Sequence, residues 1–171
     1  KDEADIFKSG KANVNYDGVN GTLTYRLMLT TSANDNNKDI IITDTLPEGA
    51  TYVDGSLYAK FFKSECDKHD TNYSGTDFTG ANKPQVTSSQ KDGRTVLTIT
   101  IPKYTYANGY ETVAVYYNLS VAQDPSWARG EEKTYSNNAS WNSHTASTNT
   151  TVRREFKVLS KTGVQLDKDG T

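Results

Sequence analysis

Residues 38–57 read KDIIITDTLPEGATYVDGSL. The first nine of these residues are rich in β-branched side chains, and a β-strand places every second side chain on the same face. One face of the predicted strand therefore carries Ile40, Ile42, Asp44 and Leu46. An acidic side chain in an apolar row is costly to bury unless other polar groups satisfy it. The stretch therefore predicts a core-facing strand whose carboxyl group needs buried partners.

Two further rows each combine apolar residues with one polar residue. By the same two-residue period, one face of residues 133–141 carries Tyr135, Asn137, Ala139 and Trp141. In a possible first strand at residues 6–11, Ile6 and Lys8 share a face. If these faces point inward, the core contains a lysine, an aspartate and an asparagine. Each is expensive to bury alone, whereas a mutually satisfied trio, or a covalent Lys–Asn link, removes the cost.

The rest of the chain reads as short strands separated by turns. The predicted strands are 6–11, 21–31, 38–45, 51–62, 94–101, 111–121, 133–141 and 150–160. Residues 63–91 are polar and rich in Gly, Asn and Ser, which predicts a long insertion. About eight strands with turn signals between them predict an all-β, immunoglobulin-like β-sandwich with a long polar insertion.

Composition excludes several classes of protein. The 171 residues are enough for one domain with a core of ordinary size. A formal net charge of −2 gives no electrostatic basis for binding nucleic acid or inserting into a membrane. No stretch is apolar and long enough to span a bilayer. Cys66 is the only cysteine, so no disulfide within the chain is available for stability.

A short internal repeat indicates how the chain is divided. Lys8-Ser9-Gly10 precedes a turn ending in Asp17-Gly18, and Lys161-Thr162-Gly163 precedes one ending in Asp169-Gly170. We therefore expect one β-sandwich domain at residues 1–156, with residues 157–171 starting a similar domain or forming a C-terminal linker. A tandem array of such sandwiches would suit a surface stalk.

The motifs resemble a known family. Residues 41–57 are similar to the Asp-Thr-Leu-Pro-x-Gly…Tyr-Val…Gly-Ser signature of CnaA-like isopeptide-forming domains in Gram-positive fimbrial and adhesin surface proteins. Lys8 resembles the lysine of the family's first strand, and residues 135–141 (YSNNASW) resemble its Tyr-Thr-Asn-x-Ala-x-Val. The resemblance covers nearly the whole of residues 4–158 and is least clear at residues 63–91. Trp141 replaces a small aliphatic residue of the family.

The resemblance implies a role for each of three residues. Lys8 is the nucleophile, Asp44 the catalytic acid and Asn137 the electrophile of an intramolecular Lys–Asn isopeptide bond. Lys11 and Asn138 are the neighbouring alternatives, although the Asn-x-Ala spacing and the inward face both favour Asn137. Desolvation disfavours the charged forms of lysine and aspartate, which frees the amine lone pair and keeps the acid protonated. The amine then attacks the carboxamide and ammonia leaves.

The implied function is structural. The domain would be a load-bearing module of an adhesin or pilus, extracellular and cell-wall-anchored on a Gram-positive bacterium, with neighbouring domains of the same protein as partners. The reaction occurs once, without cofactor or metal, so the chain is not an enzyme. The alternative is an adhesin domain that binds a host matrix protein or glycan. Its binding surface would be residues 63–91 or a tyrosine-rich surface that includes Tyr104, Tyr106, Tyr110 and Trp127.

Three other clusters carry weaker signals. Cys66, Asp67, His69 and Asp70 lack the second Cys/His pair of a zinc site, so a polar loop is the better interpretation. Residues 34–39 lack the glycine and glutamate of a calcium loop, which favours a hairpin turn. His69 and His144 are the only histidines, and neither belongs to a Ser/His/Asp arrangement typical of hydrolases.

Overall fold

The computed structural model describes residues 5–14, 20–62, 75–105, 112–122 and 130–153, and for residues 5–14, 20 and 153 it describes the backbone alone. The described residues form eleven β-strands and two 3₁₀ turns, Ala33–Asp35 and Gly80–Asn82. The strands are β1 Asp5–Val14, β2 Asn20–Thr30, β3 Lys38–Thr45, β4 Ala50–Tyr52, β5 Tyr58–Phe62, β6 Thr76–Asp77, β7 Gln85–Lys91, β8 Arg94–Tyr104, β9 Thr112–Ala122, β10 Glu132–Trp141 and β11 His144–Arg153.

These strands form two antiparallel sheets that pack face to face. Sheet A has the order β1-β2-β9-β5-β6, and β4 also pairs with β9. Sheet B has the order β11-β10-β3-β8-β7. One cluster of buried side chains draws on both sheets and includes Leu27 from sheet A and Ile42 from sheet B. The predicted immunoglobulin-like β-sandwich is therefore confirmed.

The predicted inward faces of β3 and β10 are also confirmed. On β3, Ile42 and Asp44 are fully buried, whereas Ile41, which directly precedes Ile42, is 50% exposed. On β10, the whole predicted row is buried: Tyr135, Asn137, Ala139 and Trp141. Burial of each large apolar side chain in these rows contributes about 1.5–3 kcal/mol. The apolar neighbours thus fix the register that carries the polar residues into the core.

Residues 63–91 are not one continuous insertion. Gln85–Lys91 forms β7, the edge strand of sheet B, which pairs with β8 through a tight turn at Asp92-Gly93. Both turn residues have positive φ, 52° and 77°, as a two-residue hairpin turn requires. The segment reads as polar because an exposed edge strand has few apolar contacts to make.

Two other predicted strands have different bounds. The predicted strand at residues 51–62 is divided into β4 and β5 by a turn at residues 53–56, where the Ser56 amide donates to the Val53 carbonyl. The last strand begins at His144 and not at Thr150, directly after a tight turn in which Asn142 has φ 55°. It therefore forms a hairpin with β10.

The first and last strands close one side of the sandwich. β1 is the edge of sheet A and β11 the edge of sheet B, yet the two lie side by side, and β1 also approaches β10. The N-terminal strand is therefore next to the strand hairpin that carries Asn137. This arrangement brings together the strands that contain the three predicted site residues.

Candidate buried site at Asp44, Tyr117 and Asn137

Asp44 and Asn137 lie on neighbouring strands of sheet B. β3 and β10 pair so that Asp44 is opposite Ala139, and Asn137 is two residues further along the same face of β10. Opposite and diagonal neighbours on one face of a sheet are close enough for their side chains to interact. Both side chains are fully buried. The sequence period therefore brings an acid and a carboxamide together inside the core.

Tyr117 of β9 connects these two residues across the sandwich. Its hydroxyl donates a hydrogen bond to Asp44 Oδ2 and accepts one from Asn137 Nδ2 at 3.2 Å. Tyr117 belongs to sheet A, whereas Asp44 and Asn137 belong to sheet B. The three buried groups form one hydrogen-bonded chain that spans the core. Such a chain is strengthened by its low-dielectric surroundings.

A second tyrosine holds the ring of Tyr117 in place. Tyr25 on β2 is opposite Tyr117 in the register, and the two rings stack with centroids 5.6 Å apart and planes 22° apart. Burial, and next the nearby Asp44, hold the pKa of Tyr117 well above its ordinary value. Burial also raises the pKa of Tyr25. Both hydroxyl groups are therefore proton carriers that stay protonated at neutral pH.

The carbonyl of Asn137 is the unsatisfied part of the site. Within the part of the chain that the structure describes, its Oδ1 atom has no hydrogen-bond partner although it is fully buried. Leaving a buried acceptor unpaired costs about 1–3 kcal/mol. Among the described residues, the carboxamide is thus held through its nitrogen only.

The backbone of Lys8 lies in β1, where Lys8 is paired with Leu27. The side chain of Lys8 lies outside the described part of the chain, so the predicted trio stays a prediction. The two neighbouring alternatives occupy different environments: Asn138 is exposed on the outer face of sheet B, and Lys11 is paired with Thr24, which is only half-buried.

Sequence reasoning misses Tyr117 as part of the site. Its strand contains the apolar row Val113, Val115, Leu119 and Val121, with Tyr117 in the middle. A single hydroxyl in that row is the available signal, because a buried tyrosine usually needs a partner for its OH. Which partner it finds depends on how the sheets face each other, and the period of one strand does not specify that.

The prediction of a tyrosine-rich binding surface is wrong for Tyr104. Tyr104 is 1% exposed and its hydroxyl hydrogen-bonds with Thr31 Oγ1 at 2.9 Å, so this tyrosine belongs to the core and offers no platform for a sugar. Tyr106, Tyr110 and Trp127 lie outside the described residues. Residues 33–35 form a 3₁₀ turn capped by Ser32 and Asp35, as expected of a turn and not of a calcium loop.

The remaining predicted features lie mainly outside the described ranges. This applies to the Cys66–Asp70 cluster and to residues 157–171. His144 packs beside Trp141, with ring centroids 6.2 Å apart. Among the described residues, no group of three or more His, Cys, Asp or Glu side chains could hold a metal ion. The same residues include no helix with the length and hydropathy needed to cross a membrane.

Comparison with known proteins gives a structural likeness without a sequence match. No protein-family model and no curated protein matches the chain. The BcpA major pilin subunit of Bacillus cereus resembles it with a TM-score of 0.50 and 16% identity, over 88% of this chain and 39% of the pilin. The chain thus spans about two fifths of that pilin's length.

Two further structures show a weaker likeness. The collagen-binding domain from a Staphylococcus aureus adhesin has a TM-score of 0.45 and 16% identity, over 88% of this chain and 99% of that domain. The Corynebacterium diphtheriae major pilin SpaA has a TM-score of 0.48 and 14% identity, over 79% of this chain and 30% of that protein. The three structures named here are two pilins and an adhesin domain, and what the chain shares with the BcpA pilin is the β-sandwich fold.

Proposed function

We propose that the chain is a structural module of a Gram-positive surface adhesin or pilus, locked by an amide bond between Lys8 Nζ and Asn137 Cγ. Asp44 is the acid that assists formation of this bond. The observation that supports the proposal most is the hydrogen-bonded chain of Asp44, Tyr117 and Asn137, which is fully buried in an apolar core. The fold shared with the BcpA pilin agrees with a structural role.

The backbone register supports Lys8 as the donor of the amine. Lys8 is paired with Leu27, which is fully buried, and residues opposite each other in an antiparallel pair share a face. Two residues before Leu27 on the same face is Tyr25, which stacks on Tyr117. β1 also approaches β10, the strand of Asn137. The backbone of Lys8 is therefore opposite a buried residue of sheet A, on a strand that approaches the strand of Asn137.

The energetics of burial favour a covalent link over an ion pair. Removing two charges from water costs several kcal/mol per ion, which Coulomb attraction in the interior often fails to recover. A lysine that becomes an amide carries no charge. The Asn137 carbonyl, which has no hydrogen-bond partner among the described residues, would then belong to a secondary amide. The reaction would thus remove the positive charge of the lysine, the group that is most costly to bury.

The chemistry needs nothing beyond the chain itself. A neutral amine attacks the Asn137 carbonyl carbon, the tetrahedral adduct collapses, and ammonia leaves. The fold holds the two groups together, and proximity of this kind can supply about 7–11 kcal/mol of the barrier. The bond forms once in each molecule. The module therefore matures by itself and does not turn over a separate substrate.

The bond would define the place of the module in a longer protein. It joins the N-terminal strand to a strand near the C-terminal end, so tension passes through the amide and bypasses most of the sandwich. Such a module suits the outside of the cell, with neighbouring domains of the same protein as partners. An amide also resists reduction, which suits a chain whose only cysteine is Cys66.

The intact mass of the denatured protein tests the proposal. We expect the wild type to be lighter than its sequence by one ammonia, and the Lys8→Ala variant to have its full sequence mass. Peptide mapping of the wild type should recover a branched peptide that joins the segment containing Lys8 to the one containing Asn137. A wild type with its full sequence mass would contradict the proposed bond.

A further inference from the structure

The acid and the electrophile of the proposed bond meet through a third residue. The Asn137 carboxamide donates through Nδ2 to the Tyr117 hydroxyl at 3.2 Å, and the same hydroxyl donates to Asp44 Oδ2. Nδ2 is the atom that must leave as ammonia. The hydroxyl of Tyr117 therefore lies between the Asp44 carboxyl group and the leaving group.

We propose that Tyr117 is a catalytic residue that relays the proton of Asp44 to Asn137 Nδ2 and so lets ammonia leave. This inference rests on the proposed isopeptide bond and adds to it a residue and a proton path. The Tyr117 hydroxyl contacts a reacting atom, Asn137 Nδ2, directly. The ring of Tyr117 stacks on that of Tyr25.

The electrons and protons of the relay balance. The neutral amine of Lys8 forms a bond to Asn137 Cγ, and the electron pair of the carbonyl moves to Oδ1. As that pair returns, the bond between Cγ and Nδ2 breaks, and Nδ2 takes a proton from the Tyr117 hydroxyl, which takes one from the Asp44 carboxyl. The proton that Nζ loses on becoming an amide nitrogen restores the Asp44 carboxyl. The products are one secondary amide and one ammonia.

The direction of the hydrogen bond changes during the reaction. In the carboxamide the nitrogen lone pair is delocalised, so Nδ2 donates to Tyr117, as the structure shows. In the tetrahedral adduct Nδ2 is an amine with a free lone pair, so it accepts from Tyr117. An interaction that becomes favourable only beyond the ground state lowers the barrier. The heavy atoms of the 3.2 Å contact can stay in place, but the Tyr117 hydroxyl hydrogen turns from Asp44 Oδ2 to Nδ2, and a protonated Asp44 then donates to the hydroxyl oxygen.

The surroundings suit a relay and not a permanent base. Burial holds the pKa of Tyr117 well above its ordinary value, so the hydroxyl passes a proton on without remaining ionised. The stacked ring of Tyr25, 5.6 Å away between centroids, limits movement of the phenol. A relay of fixed geometry is what rapid proton transfer between buried groups requires.

The test follows ammonia loss by intact mass at successive times after cell-free synthesis. Tyr117→Phe keeps the ring and removes the hydroxyl, and we expect the rate of ammonia loss to fall by about 10²-fold or more, as for loss of a general acid. Tyr104→Phe is the matched control. It also removes a buried, hydrogen-bonded tyrosine hydroxyl, but Tyr104 is paired with Lys38 at the other end of β3 from Asp44. We expect its rate to equal that of the wild type.

Two further variants separate a relay from a fault in folding. Tyr117→Phe is also made in the Lys8→Ala background, where no bond forms, and we expect it to unfold cooperatively. Asp44→Asn tests whether Asp44 and Tyr117 act in series along one proton path. If Asp44 acts through Tyr117, the double variant Asp44→Asn/Tyr117→Phe reacts no more slowly than the slower of the two single variants.

Each outcome supports or overturns the relay. If the wild type loses ammonia and folded Tyr117→Phe reacts far more slowly, with a non-additive double variant, the relay is supported. If Tyr117→Phe reacts at the rate of the wild type, or the two losses multiply, the relay is overturned while the isopeptide bond stands. If the wild type itself never loses ammonia, both proposals are overturned.

Discussion

At the scale of single residues, burial separates two adjacent asparagines that the sequence leaves as alternatives. Asn137 is fully buried and bonded to Tyr117, whereas Asn138 is exposed on the outer face of sheet B opposite Thr45. Successive side chains of a strand point to opposite faces, so one residue decides between core and solvent. The proposed bond can therefore involve Asn137 without any change in the strand.

Alanine substitution of each asparagine tests this difference. We expect Asn137→Ala to keep its full sequence mass, because its carbonyl is gone. Asn138→Ala should still lose one ammonia and should change the free energy of unfolding by no more than about 0.5 kcal/mol, as is usual for a surface position. Intact mass and denaturant unfolding give both readouts. The opposite pattern of masses would assign the bond to Asn138.

Buried tyrosines predict that stability falls in alkali. The pKa of Tyr117 is higher in the folded state than in the unfolded chain, chiefly through burial. Below about pH 10 the phenol is protonated in both the folded and the unfolded state, so the free energy of unfolding does not change with pH on its account. Above about pH 10 the unfolded chain releases a proton that the folded state retains, so the free energy of unfolding decreases as pH rises.

Denaturant unfolding, repeated from neutral pH to pH values above the pKa of free tyrosine, measures this decrease. The slope against pH should be smaller for Tyr117→Phe than for the wild type, since one buried phenol is removed. Absorbance of tyrosinate should show the same delay, with part of the tyrosine signal appearing only on unfolding. A slope that is unchanged in Tyr117→Phe would show that Tyr117 does not cause the loss.

At the scale of elements, β3 contains its own matched pair for testing the core. Ile42 is fully buried and Ile41 is 50% exposed, although they are adjacent and chemically identical. We expect Ile42→Ala to lower the free energy of unfolding by about 2–5 kcal/mol through lost contacts and a cavity. Ile41→Ala should change it by no more than about 0.5 kcal/mol. Equal losses in denaturant unfolding would mean that β3 does not face the core as described.

The elements differ in how far the sequence predicts them. The alternation in β3 and β10 specifies which face is buried, and hence places Asp44 and Asn137 inside. β7 is not predicted, because its sequence QVTSSQK contains one apolar residue, Val86. An edge strand needs no apolar row. The period also places Tyr117 on a strand, but its contact with Asp44 depends on the packing of sheet A on sheet B. Periodicity within a strand does not encode that packing.

At the scale of the whole molecule, the proposed bond would join the two sheets. β1 belongs to sheet A and β10 to sheet B, so a Lys8–Asn137 amide closes a loop of about 130 residues through the core. In the chain-entropy description, a crosslink over such a loop contributes roughly 4–5 kcal/mol, mainly by restricting the unfolded chain. We expect Lys8→Ala to unfold at a correspondingly lower denaturant concentration, whereas Asn138→Ala should not. Equal midpoints for Lys8→Ala and the wild type would argue against a crosslink.

Mechanical extension distinguishes a crosslink from any other source of stability. When the wild type is pulled from its two ends, the segment between Lys8 and Asn137 is bypassed by the amide and cannot lengthen. In Lys8→Ala the same segment unravels and adds about 450 Å to the extended chain, at roughly 3.5 Å per residue. Single-molecule force spectroscopy measures this length directly, and Asn138→Ala should behave as the wild type does. A wild type that lengthens as far as Lys8→Ala would show that the load is carried by ordinary packing, because no non-covalent contact can withhold a fixed length of chain once its strands have separated.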